Sequence, residues 1–371
     1  MYLIERLLGV MLYAVTLLCV MYYICHTKKI GKTLSVYALI LAIMAFFYKP
    51  AETADLYRIY EAMDYFSHMP WEIFYKELLS TPTPAYLVYV RLIGKIGIKE
   101  FLPAITAFLY YTNVFYIIKR SAIKYKVSNK GTALVVLFLM SFGQFVQVIS
   151  GIRSMLAFSI VARCMYEERI ENKKMIFNIW KYIIAFLLHP VGVVACMIRL
   201  LYEVFYYKAK TYIQLIAKIM VIIGIVTLGI KTGMPYIENM LKAASGYMSS
   251  DGYSYIWEYL LAIIVLVLII YSLYIFRKSL KKCKEIQLLV KLIKLLIFVV
   301  CILIFEYSTF QRFTVFISML FLPIYTYILS NAEENILKNE QYIKIMIYVP
   351  IMILVLACLR GNLSAYKFFI L

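Results

Sequence analysis

Long apolar runs alternate along this chain with short polar or basic stretches. A helix needs about 20 mostly apolar residues to cross bilayer hydrocarbon, and only helices or closed barrels satisfy their backbone there. The runs predict helices at Leu3–Cys25, Leu34–Tyr48, Phe101–Ile118, Thr132–Ile149, Ile152–Tyr166 and Met175–Leu188. They continue at Val191–Tyr206, Ile213–Ile230, Ile256–Phe276, Leu292–Phe305, Phe313–Leu329 and Ile345–Leu359. The fold class expected is all-α: one polytopic membrane domain over residues 1–371, with about 12 transmembrane helices.

The stretches between runs differ in character. Residues 49–100 form the longest, with balanced charge. Within it Asp55, Arg58 and Glu61 recur every three residues, which predicts a helix with a slowly drifting polar face. Pro82 and Pro84 interrupt the chain. Pro84–Ile98 is apolar but carries Arg91 and Lys95, and reads as an interfacial or re-entrant helix. A true span there would invert every later loop. Residues 231–255 form a second external loop, Glu306–Arg312 a tight polar turn, and Asn331–Gln341 a charged inner loop. Arg199 and Glu203 have the spacing of an ion pair along one helix.

Composition and charge then fix class and orientation. The 371 residues are 64% hydrophobic and 16% charged, with a mean hydropathy of +0.82, a balance no soluble domain has. The net charge of +19 sits in short loops between apolar runs, so it reports topology and not a nucleic-acid patch. Lys28, Lys29 and Lys32, then Lys119, Arg120, Lys124, Lys126 and Lys130, mark cytoplasmic loops. Arg277, Lys278, Lys281, Lys282 and Lys284 mark another. This parity puts both termini outside. The 35 tyrosines suit membrane interfaces. The seven cysteines are scattered without a CxxC pair, which gives neither a disulfide framework nor a zinc site. Neither a cleaved signal peptide nor an internal repeat is evident.

The candidate chemistry centres on residues 144–192. Arg153 lies just inside one apolar helix, and His189 closes another before Pro190. Burying such a cation costs roughly 3 kcal/mol on insertion scales, so it usually faces a partner or a cavity. Taken singly, Arg153 reads as snorkelling to the interface and His189 as a helix end. Their placement on one membrane face points to function. The same parity puts Asp55, Arg58, Glu238, Asp251, Glu306 and Arg312 on that outer side. No line of Asp and Glu crosses the middle of the spans, as a proton relay would require. P-loop, GxGxxG, HExxH and GxSxG signatures are absent from the sequence. The histidines, at 26, 68 and 189, do not compose a metal site, and His68 near Trp71 reads as structural.

A set of short motifs carries a family likeness: Asp55-Leu-Tyr-Arg-Ile-Tyr, Thr83-Pro84-Ala85-Tyr86, Gly151-Ile152-Arg153-Ser154-Met155-Leu156-Ala157, Ala185-Phe186-Leu187-Leu188-His189, and a late Arg312. In this order, over residues 50–315, the chain resembles the EpsG family of exopolysaccharide biosynthesis membrane proteins, themselves similar to Wzy-type O-antigen and capsule polymerases. Thr83 stands where the family usually has an acid, and Ser154 where it has Gln.

The resemblance implies a GT-C-like bundle in the bacterial cytoplasmic membrane that joins oligosaccharide repeat units carried on undecaprenyl diphosphate at the outer face. In that mapping Arg153 and Arg312 bind the diphosphate, and His189 or Asp55 takes the acceptor proton. Tyr57, Arg58, Asp251 and Glu306 line the sugar groove, to which Pro84–Ile98 and residues 231–255 give shape. The partners expected are the lipid-linked oligosaccharide, the bilayer, and a flippase and chain-length regulator of the same pathway. Neither cofactor nor metal is expected, although Asp55 or Asp251 leaves a metal open. A flippase, a ligase or transferase using the same donor, and a non-catalytic scaffold are the competing readings.

Overall fold

The computed structural model describes residues 2–50, 55–142, 145–206, parts of 211–227, 256–302, 304, 307–333 and 336–359. It is all-α, 88% helix with no strand among the described residues. The N-terminal helices are α1 (Tyr2–His26), α2 (Ile30–Phe46), α3 (Asp55–His68), α4 (Trp71–Ser80), α5 (Pro84–Gly94) and α6 (Phe101–Tyr125). The middle of the chain forms α7 (Asn129–Phe142), α8 (Phe145–Ser150), α9 (Ile152–Arg169), α10 (Ile179–Leu188) and α11 (Pro190–Tyr206). Later in the chain come α12 (Ile256–Ile275), α13 (Lys284–Ile302), α14 (Tyr307–Glu333) and α15 (Ile336–Leu359).

Among the described residues two helices are long and apolar enough to cross a membrane, Phe101–Tyr125 and Thr309–Asn331, by length and composition. Shorter apolar helices include Met11–His26, Ile30–Phe46, Asn129–Phe142 and Tyr259–Ile275. Large apolar side chains stand exposed on several helices: Leu18 on α1, Phe47 at the end of α2, Ile183 on α10 and Ile270 on α12. Apolar surface of that kind is compatible with residence in a membrane. Helix α14 is the axis of the bundle: 89% of its apolar window is buried, and it packs against α6, α7, α9, α12 and α13.

Several boundaries differ from the sequence reading, each for a local reason. Helix α6 runs on to Tyr125 and takes Lys119, Arg120 and Lys124 into its last turns, because charge alone does not end a helix. It stops at Lys126, which adopts the left-handed conformation (φ 52°) and donates its N–H to Ala122 O, a C-terminal cap. The expected turn Glu306–Arg312 is helical from Tyr307 onward, as the first turns of α14. The expected inner loop Asn331–Gln341 is mostly helix as well, within α14 and α15. Helix α5 ends at Gly94 and buries Tyr86, Leu87, Val90, Arg91 and Ile93. Arg91 does not snorkel: it is 5% exposed, donates from Nη2 to Met69 O at 2.9 Å, and lies 4.2 Å from the centre of the Phe74 ring.

The expected pair of Arg199 with Glu203 falls on a side chain outside the described residues; what the structure describes for Arg199 is a bond to a different helix. Its Nε donates to Glu168 Oε2 at 2.8 Å, across from α11 to α9. That pair belongs to a network at the end of α9. Glu167 accepts from Arg163 at 3.1 Å and from Lys181 at 2.9 Å. Glu171 accepts from Arg120 at 2.5 Å and from Tyr116 at 3.0 Å, and Lys124 pairs with Glu285. The network ties α6, α9, α10, α11 and α13 together. Helix α9 has 18 residues, so this end lies about 27 Å from its start at Ile152.

Candidate functional site

The opposite end of α9 carries the polar groups singled out in the sequence. His189 is set by the break between α10 and α11. Proline cannot continue a helix by hydrogen bonding and disfavours helical backbone in the residue before it. His189 accordingly leaves α10 extended, with φ −160° and ψ 141°, and Pro190 opens α11, where its fixed φ fits the first helical position. The Gly192 N–H donates to His189 O at 2.8 Å. A Cβ on Gly192 would fall 2.2 Å from the Ala185 carbonyl oxygen, so glycine is what lets α11 return so close to α10. The imidazole ends up buried, 6% exposed.

Arg153 is the second residue of α9. Its guanidinium lies over the Tyr86 ring of α5, 4.6 Å from the centroid, a cation–π arrangement that fixes the head group. Ser154 beside it donates from Oγ to Gly151 O at 3.1 Å. Arg312 is half-buried in the early turns of α14. Asp55 and Arg58 sit on the first turn of α3, 3.8 Å apart and exposed, a pair that contributes little to stability. Asp55 at that position is also favoured by the helix dipole.

Asp55, Arg58, Arg153, His189 and Arg312 all line one cavity of about 320 Å³. That volume is within the range of small-ligand sites. The structure therefore draws together residues separated by more than 250 positions in sequence. Among the described residues no carboxylate lies within ion-pair distance of Arg153 or Arg312. The balance around the cavity is three guanidinium groups, one carboxylate and one imidazole. Tyr57 is not among the lining residues; Asp55, Arg58, Ile59 and Ala62 share the lining face of α3, and Tyr57 points off it, 36% exposed. Glu306, Asp251 and Glu238 lie outside the described residues. Tyr86 and Ser150 line the cavity too. Tyr86 stood in a motif but had no assigned role, since nothing in its own neighbourhood signals an arginine from another helix. His68 does not line the cavity and bonds locally, from Nδ1 to Asp64 O at 2.9 Å.

His189 lies between the two helices and not within either. Burial, with added repulsion from Arg312 and Arg153, pushes its pKa from the ordinary 6.5 down to about 3. It is thus a neutral imidazole at neutral pH. The folded state then binds fewer protons than the unfolded one between those two values, so stability falls as pH drops through that window. We expect the melting temperature of the purified protein to fall from pH 7 to pH 4 by more than that of His189→Gln, in paired scans. Parallel curves would mean that the imidazole does not titrate against the two arginines.

Chemically, the pocket suits an anion with several oxygens, because guanidinium groups bind phosphate oxygens in pairs, and it offers a neutral nitrogen able to accept a proton. No group of three or more His, Cys, Asp or Glu among the described residues is arranged to hold a metal ion. Compared with protein-family models, curated proteins and solved structures, the chain matches none.

Proposed function

We propose that the protein is a multi-pass membrane glycosyltransferase of about 12 spans with a GT-C-like bundle, which joins oligosaccharide units carried on undecaprenyl diphosphate at the outer face of the bacterial cytoplasmic membrane. The likeness of its motifs to the EpsG and Wzy-type polymerases supports this reading. The observation that carries it is the convergence of Arg58, Arg153 and Arg312 with His189 and Asp55 on one cavity in an apolar helical protein.

In this reading the arginines hold the diphosphate and stabilise the charge that grows on it as it leaves. A hydroxyl of the acceptor sugar attacks the anomeric carbon of the donor. The new C–O bond forms, the bond from that carbon to the diphosphate oxygen breaks, and its electron pair stays with the diphosphate. The hydroxyl proton passes to neutral His189 Nε2 or Nδ1, or to Asp55. Burial is the larger cause of the depressed imidazole; an anion between Arg153 and Arg312 offsets the smaller part that comes from their charge, and to that extent strengthens His189 as a base. The donor is already activated, and no nucleotide sugar enters.

The test uses the pure full-length protein in vesicles with a defined undecaprenyl-diphosphate oligosaccharide. The expected result is a ladder of longer lipid-linked products with release of undecaprenyl diphosphate. Release only when a different acceptor is added would make it a ligase. Movement of intact donor across the vesicle with no bond broken would make it a flippase and refute the transferase.

A further inference from the structure

Beside the polar cavity runs a second opening of about 360 Å³, and the same helices build both. Helix α5 turns Tyr86 to the cavity and Ala85 and Tyr89 to the opening. Helix α9 gives Arg153 and Ser154 to the cavity, then Leu156 and Ile160 to the opening. Helix α10 ends in His189 at the cavity and lines the opening with Ile184 and Leu188. The spacings 85/89, 156/160 and 184/188 are single helical turns, so each helix presents one apolar ridge along a common groove. Leu109 on α6 forms its fourth side. The groove is open laterally: Trp180 is 58% exposed and Ile184 38%.

Its far end is closed by Arg163 and Lys181. These cations are already engaged, both by Glu167, and Arg163 also donates to Asn113 Oδ1 at 3.1 Å. That end therefore does not compete for an anion, whereas among the described residues Arg153 at the near end meets the Tyr86 ring and no carboxylate within ion-pair distance. An amphiphile fits this layout in one direction: anionic head among the arginines, apolar chain along the groove.

We propose that this groove seats the isoprenoid units next to the diphosphate of a polyprenyl-diphosphate lipid. The inference rests on reading the cavity as a diphosphate site. One groove accommodates one chain, which favours a single-chain lipid over a two-chain phospholipid. Burying each methylene contributes about 0.8 kcal/mol, and in a bilayer much of that is offset because the chain leaves lipid rather than water. The groove's role is therefore to align the reactive diphosphate more than to add affinity.

The test is photolabelling of the full-length protein in phosphatidylethanolamine–phosphatidylglycerol vesicles. One probe is undecaprenyl diphosphate with a diazirine on an isoprene unit near the head; the other is phosphatidylglycerol with a diazirine on an acyl chain. The first is expected to label residues 85–89, 156–160 and 184–188, with loss of label on adding unlabelled undecaprenyl diphosphate. Ile160→Trp, and separately Ala85→Leu, should lose that label while the protein still melts cooperatively. Equal labelling of the groove by the phosphatidylglycerol probe, or polyprenyl label confined to other helices, overturns the proposal. If the groove is labelled specifically and no sugar is transferred in the vesicle assay, the groove stands and the transferase reading falls. If sugar is transferred and the groove stays unlabelled, the reverse holds.

Discussion

Arg153→Ala is expected to lower the turnover of lipid-linked oligosaccharide by about 10²–10³, the usual loss on removing one preorganised donor to a developing oxyanion. The reason is specific to its setting. Arg153 has no carboxylate neighbour among the described residues to which its charge is committed, and the Tyr86 ring holds its guanidinium 4.6 Å from the centroid. Its charge is thus preorganised toward the cavity. Lysine keeps the charge but loses the planar fork and the stacking, so Arg153→Lys should recover only part of the loss. The drop should appear in kcat as well as kcat/KM, because the charge it meets grows as the diphosphate leaves. Steady-state release of undecaprenyl diphosphate measures both constants. Wild-type turnover in a folded Arg153→Ala protein would remove the residue from the site.

Glu168→Ala should have the largest effect on stability, about 3–5 kcal/mol, the range for breaking a buried pair from one side. Glu168 and Arg199 have side chains only 4% and 8% exposed. The guanidinium gives two hydrogen bonds to the same carboxylate oxygen, at 2.8 Å and 2.5 Å, while Asn178 Nδ2 donates to the other at 3.5 Å. Alanine would take from the buried arginine the carboxylate that accepts two of its hydrogen bonds. The double replacement Glu168→Leu with Arg199→Met removes both charges and should cost far less, because no ion is stranded. Denaturant titration in detergent, run on the single and double variants, measures the difference. A single variant as stable as the double one would show that water reaches the pair.

The sequence reading and the structure agree where one helix at a time decides the outcome. Arg153 and His189 were visible as lone polar groups at the ends of apolar runs, and the structure puts Asp55, Arg58 and Arg312 around the same cavity. What escaped was anything set between helices. Arg199 suggested a partner one turn away at Glu203, because periodicity sees only the residue's own helix; its bond to Glu168 on α9 could not be read that way. Tyr86 stood in a motif whose purpose becomes visible only when α5 meets α9. Helix ends were misplaced where polarity stood in for backbone geometry: Lys119 and Arg120 continue α6, and a left-handed Lys126 stops it. Likewise the polar letters of residues 307–312 hid a continuous helix, since packing in the bundle overrides the weak local propensity of Ser, Thr and the aromatics.

Among the described residues an ion network holds one end of α9 and fewer charged contacts hold the other, so one pole of the protein is stiffer than the opposite one. Five helices are stapled at the first pole by charge, whereas the walls of the second meet through a ring face, a proline elbow and exposed α3. Thermal excursions of helices fastened at a single end widen with distance from the fastening. Breathing is then greatest around the arginine-lined cavity, where the proposed function has a glycolipid enter and leave, and smallest on the side that keeps the bundle in register.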